Sequence, residues 1–76
     1  MTQREKRAVA WFTKSLIEDG IKTGDRVIEH YYSEDERMLF TKTSDYRHKT
    51  FPLEVIIGNY DIVYPKLIKI KRWYEI

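Results

Sequence analysis

Thr50-Phe51-Pro52-Leu53-Glu54-Val55-Ile56-Ile57 alternates. Phe51, Leu53, Val55 and Ile57 fall on one side and Pro52, Glu54 and Ile56 on the other, the two-residue repeat of an extended strand. Proline cannot donate to a ladder, so Pro52 belongs at the strand's start or on an edge. Downstream, Gly58-Asn59 reads as a turn, Ile62 to Tyr64 as a short fourth strand, and Pro65 as a break. Leu67 to Ile76 then reads as a last strand, with Ile68, Ile70, Tyr74 and Ile76 facing one way and Lys69, Lys71 and Trp73 the other.

Upstream, Arg26 to Tyr32 predicts a first strand, with Ile28, His30 and Tyr32 opposite Val27, Glu29 and Tyr31. Ser33 to Glu36 is a polar turn. Arg37 to Thr43 pairs back as a hairpin with Met38 and Phe40 on one face, and Ser44 to Lys49 is a loop. Before Thr23-Gly24-Asp25 the repeat changes. Ala8, Val9, Phe12 and Leu16 share one face of a helix about 100° wide. Thr2-Gln3-Arg4-Glu5 fits a capping box at its start. Gly20 is the expected stop, a left-handed C′ residue that lets Ile21 meet Leu16.

These elements predict one domain over residues 1–76, with a helix at about 3–19 and a β-meander at about 25–76. The expected class is α+β: an N-terminal amphipathic helix packed on a small antiparallel five-stranded sheet, curled into an SH3-like, partly open barrel. The Gly24-Asp25-Arg26-Val27 opening resembles that of many SH3-like barrels, a likeness of architecture that covers a few residues. A flat antiparallel sheet crossed by one helix is the rival topology.

Composition bounds the function. The 76 residues contain no cysteine, so neither a disulfide nor a zinc thiolate can staple a core that this length makes marginal. The core must come from the 42% of residues that are hydrophobic, a third of them aromatic-rich in effect, since 14% of the chain is Phe, Trp or Tyr. The longest apolar run, Ala8 to Phe12, is far short of a membrane span or a signal peptide. A cysteine-free chain with no targeting segment is expected in the cytoplasm. The net charge of +2 is small, but its distribution is uneven. Arg4, Lys6, Arg7 and Lys14 crowd the helix, Lys66, Lys69, Lys71 and Arg72 crowd the end, and Glu29, Glu34, Asp35 and Glu36 lie between.

Trp11 is the first candidate for a partner contact. It lies off the Ala8–Phe12–Leu16 stripe, between Arg4 and Arg7 and near Lys14. Arg7 stands four residues before it, within reach of a cation–π contact. Tryptophan and arginine anchor many interfaces. The competing reading has Trp11 leaning over the edge of the core. The second candidate is the strand face of Lys69, Lys71 and Trp73, with Lys66 and Arg72 beside it. Lysines there would track phosphates while the indole stacks on a base. Lysines also serve simply to blunt an edge strand.

Other groups carry weaker signals. Glu34-Asp35-Glu36 lacks the spaced ligands and glycine of a calcium loop and reads as a solvated turn. His30 and His48, without cysteine, would need carboxylates brought to them to hold a metal. His48 with Ser44 is a base–nucleophile pair that nothing in the sequence orients. The six tyrosines suit both strand packing and adaptable contact surfaces.

The expected function is therefore a small non-enzymatic interaction module, of adaptor or inhibitor type, that binds a protein partner through Arg4, Arg7, Trp11 and Lys14 or through an open sheet edge. The alternative is a nucleic-acid-binding small barrel that uses Lys66, Lys69, Lys71, Arg72 and Trp73. No metal, cofactor or membrane contact is expected. A homodimer could build a pocket that one chain of this size cannot.

Overall fold

The first helix forms where the capping box places it. Thr2 Oγ1 accepts the N–H of Glu5, and the Glu5 carboxylate accepts the N–H of Thr2 at 3.0 Å. The computed structural model describes residues 1–74, with side chains described through Lys66. In it α1 spans Gln3–Thr23, a turn beyond the expected stop. Gly20 lies inside the helix and is buried, while Gly24 takes the left-handed conformation at φ 86° and donates its N–H to Gly20 O. The expected Ile21–Leu16 clasp is absent, and Ile21 is exposed. Two glycines four apart divide the work. Gly24 turns the chain, and Gly20 lets the strand that follows pass close by. A Cβ on Gly20 would stand 2.8 Å from Asp25 O.

Three strands follow in sequence order: β1 Val27–Ser33, β2 Met38–Thr43 and β3 His48–Pro52, all antiparallel. The first reversal ends on Arg37 at φ 53°, with the Ser33 hydroxyl accepting the Glu36 N–H. The second places Tyr46 at φ 60°, its N–H donated to Thr43 O. Pairing sorts the side chains into two faces. Tyr32, Leu39 and Phe51 form one cross-strand row, and Tyr31, Phe40 and Thr50 form the row beside it on the other face. An irregularity between Val27 and Glu29 inserts Ile28. It breaks the expected alternation, so Val27, rather than Ile28, shares a face with His30 and Tyr32.

The five-stranded sheet and the barrel are overturned. Beyond Pro52 the chain is not extended: α2 spans Leu53–Tyr74. Gly58-Asn59 is a helical segment rather than a turn, and Pro65 lies inside the helix rather than between strands. The expected strand Leu67 to Ile76 is helical as far as Tyr74, and Glu75 and Ile76 lie outside the described residues. The physical reason is burial at helical spacing. Leu53, Ile56 and Tyr60 recur at three and four residues, and all three are buried, whereas Val55 is exposed. The first N–H of α2, on Leu53, is donated to Arg37 O at 2.9 Å, which fastens the helix to the β1–β2 turn.

Both helices lie on the same face of the open sheet. Ala8, Leu39, Ile56 and Tyr60 form the centre, with Val9, Trp11, Phe12, Leu16, Tyr32, Phe51 and Ile57 around it. Ala8 is the small residue at the helix crossing, which allows a close interaxial approach. Phe12 meets Phe51 of β3 edge-on at 5.0 Å between ring centres. The helix stripe expected at Ala8, Val9, Phe12 and Leu16 is the face that packs.

Candidate interaction surface

The basic helix patch is divided by the packing. Arg4 is bonded to the carboxylate of Asp61 on α2, its Nε donating at 3.2 Å, so it joins the two helices. Trp11 is half-buried and packs tilted on Tyr60 at 5.7 Å, leaning over the core. Arg7 is exposed. The cation–π contact found among the described residues is Lys42 over Tyr46, not Arg7 over Trp11. Lys14 is exposed on a different flank and lines a groove between α1 and β1. Arg4 and Trp11 thus belong to the helix–helix seam, while Lys14 faces the groove.

The expected basic strand face does not exist as a strand. Lys66 is exposed on α2. Lys69, Lys71, Arg72 and Trp73 continue the same helix, and their side chains lie outside the described residues.

The weaker candidates are separated as well. His30 pairs with Thr41 on the helix-covered face, and His48 pairs with Lys42 on the opposite one. The Ser44 hydroxyl donates to Asp25 Oδ1 at 3.3 Å and accepts the Arg26 N–H at 3.0 Å, so it is turned to the α1–β1 connection and not to His48. Among the described residues, no group of three or more His, Asp or Glu side chains converges as a metal site would require. Glu34 pairs with the N-terminal amine at 3.6 Å in an exposed turn.

Local electrostatics follow from these contacts. Desolvation draws the Asp25 carboxyl upwards, but the Asp45 N–H and the Ser44 hydroxyl more than offset it and hold the group below its ordinary value. Glu5 is lowered chiefly by the Thr2 backbone N–H. Burial raises the Tyr32 phenol, whose hydroxyl is buried without a hydrogen-bond partner in the structure.

Two surfaces emerge that the sequence did not localise. The first is the free edge of β1. Thr43 directs its N–H and C=O towards the β3 side, to Arg47 and Tyr46. Antiparallel ladders alternate, so Phe40 and Lys42 bond to their β1 partners Tyr31 and Glu29. The backbone groups of His30 and Tyr32 therefore point out of the sheet. Above this edge runs the α1–β1 groove, with Val9, Ala10 and Ile17 on its helix wall and Tyr32 and Leu39 on its floor. Lys14 and Glu18 sit on its helix side. The opposite edge, β3, is short and carries Lys49 and Pro52, the usual devices against pairing.

The second surface is the uncovered face of the sheet. Tyr31 is 60% exposed and lies nearly parallel to Phe40, 13° apart with centres 5.4 Å distant. The surplus of tyrosines was the available signal for this face. The number of strands and the face that the helices cover had to be known before any could be assigned to it. Among the described residues, no helix is long and apolar enough to cross a membrane. Compared with known proteins, the chain matches no family model, no curated protein and no solved structure.

Proposed function

We propose that this chain is a small non-enzymatic interaction module, of adaptor or inhibitor type, that binds a protein partner by adding an extended segment to β1. The observation that supports the reading is the conjunction of a free strand edge at His30–Tyr32, beyond the bulge at Ile28, with an apolar groove alongside it. In strand addition the main-chain hydrogen bonds supply affinity, and pockets for alternate side chains supply specificity. Here the outward backbone groups of His30 and Tyr32 would supply the first, and the groove walls the second. Lys14 and Glu18 offer an incoming chain one charge of each sign. A cytoplasmic setting is part of the same proposal and rests on the cysteine-free sequence.

The test blocks the edge and spares the fold. His30→Pro removes an N–H that β2 does not use, so the internal ladder stays intact. Thr13 lines the helix wall of the groove, so Thr13→Gln fills it without adding charge and serves where the proline variant fails to fold. A nuclease-treated pull-down from the native host should retain a partner on the wild-type bait and lose it on either folded variant. A partner held equally by wild type and by both variants would refute the edge as the docking site.

A further inference from the structure

The free edge of β1 is short. Its outward main-chain groups belong to His30 and Tyr32; the irregularity at Ile28 ends the run on one side and the β1–β2 turn ends it on the other. A run this short matches itself. With an antiparallel copy centred on Tyr31, His30 exchanges both main-chain groups with Tyr32 of the second copy, and Tyr32 does the same with its His30. Centring on His30 would run into the irregularity, and centring on Tyr32 would run into the turn. The register through Tyr31 uses the whole free edge of both chains.

The side chains suit this register. Tyr31, 60% exposed on the uncovered face, meets Tyr31 of the second copy at a non-hydrogen-bonded position, where Cα atoms stand ~4.5 Å apart. The stacked Tyr31–Phe40 pair then continues as a row of rings across both sheets. Glu29 falls opposite Ser33, so no like charges face each other across the rungs. On the helix-covered side, Thr13 lies midway among the α1 residues that line the groove above His30 and Tyr32. The same two-fold sets the two α1 helices antiparallel, with Thr13 near the axis and Ala10 towards Ile17 of the second copy. Lys14 and Glu18 have opposite signs on this flank. Their order is reversed in the second copy, so Lys14 of each chain faces the Glu18 end of the other.

We propose that the resting form of this chain is a two-fold dimer joined β1 to β1, and that a partner strand must displace the second copy. The inference rests on the strand-addition reading above and names what holds the edge when no other partner is bound. The assembly closes at two copies, because the outer edges that remain are the β3 strands, guarded by Lys49 and Pro52. A few rungs and one helix flank cover less than the ~800 Å² per partner of a standard interface, so the dimer is reversible, with a Kd on the order of 10–100 µM.

Sedimentation equilibrium from about 10 µM to about 1 mM should show wild type passing from the mass of one chain to that of two. His30→Pro and Thr13→Gln should stay monomeric, and Lys49→Gln, on the β3 edge, should dimerise as wild type. Far-UV circular dichroism confirms that each variant is folded. The chain has no cysteine, so one introduced thiol reports the register. Tyr31→Cys should cross-link under mild oxidation at least about tenfold faster than Tyr46→Cys, whose position is 76% exposed but lies off the axis. Oxidised Tyr31→Cys should capture no partner from the native host until it is reduced. Wild type that remains monomeric at about 1 mM, or equal cross-linking at the two positions, would overturn the dimer. A monomeric wild type whose partner is still lost on His30→Pro would leave the docking edge standing, so the two readings fail separately.

Discussion

Replacing Gly20 by alanine probes the tightest backbone approach in the molecule. Gly20 is a buried residue inside α1, and the added methyl would meet Asp25 O at 2.8 Å, Arg26 Cα at 3.2 Å and Val27 N at 3.3 Å. All three are main-chain atoms of the segment leading into β1, and ordinary contact begins at 3.4 Å. None can swing aside as a flexible side chain would. Overpacking of this kind costs about 1–3 kcal/mol. Alanine returns about 1 kcal/mol through its better helix propensity. The net expectation is a loss of about 1 kcal/mol, or a fall in Tm of roughly 4–8 °C for a domain of this length. Gly58 is the internal control, because it is helical and exposed, with open space where a Cβ would go. There the same substitution should raise stability by about 1 kcal/mol. Asparagine distinguishes crowding from backbone conformation. Gly20→Asn should be worse than Gly20→Ala, since a larger group meets the same wall. At Gly24, with φ 86°, asparagine should be tolerated better than alanine. Thermal and urea denaturation followed at 222 nm would report all five variants. A Gly20→Ala protein at least as stable as wild type would refute the close-approach argument.

Leu39 is 1% exposed at the centre of the middle strand, so Leu39→Ala should cost about 2–5 kcal/mol in urea unfolding. That is a large share of the total for so small a core, and a loss below 1 kcal/mol would contradict its central place. Pro65 has no N–H to give to the preceding turn of α2, so Pro65→Ala should raise helicity and Tm, with a gain in stability of up to about 3 kcal/mol. The Glu5 carboxyl is lowered on folding, so its contribution is present above the ordinary glutamate value of 4.5 and is lost as pH falls through the lower folded value. Glu5→Gln should therefore lose less Tm than wild type on acidification below about pH 4.5, as differential scanning calorimetry would show.

The legible parts of the fold are those where one repeat fits and its competitor does not. Ala8, Val9, Phe12 and Leu16 have no period-two reading, and the stripe they form is the face that packs. The hairpin of β1 and β2 was equally clear, because polar turn residues bracket it on both sides. Residues 53–64 failed because adjacent Ile56 and Ile57 satisfy both repeats at once. Leu53–Val55–Ile57 scans as a strand, and Leu53–Ile56–Ile57–Tyr60 scans as a helix. Gly58, Asn59 and Pro65 then looked like punctuation. The longer helical match through Tyr60 was the discriminating signal, since the alternation stops at Ile57. What selects the helix is tertiary: Ala8 and Trp11 of α1 offer a surface that Ile56 and Tyr60 cover together.

The candidate sites were less legible than the fold. A helical wheel places Trp11 off the stripe but cannot show that α2 comes to lie against that flank. It therefore cannot show Arg4 joined to Asp61 or Trp11 resting on Tyr60. One inserted residue, Ile28, moves Val27 to the side of His30 and Tyr32, whereas Tyr31 stays opposite them, where the alternation places it. No local pattern in Val27-Ile28-Glu29 announces that insertion.

No linker separates β3 from α2: the strand ends at Pro52 and the helix starts at Leu53. The ring of Pro52 stiffens that junction, and the Leu53–Arg37 hydrogen bond clamps it. The junction is a rigid elbow rather than a tether, so a pull applied along α2 acts directly on the β3 ladder. Under load the sheet should open from its Pro52 end, rung by rung, like a zipper, instead of slackening first in a loop.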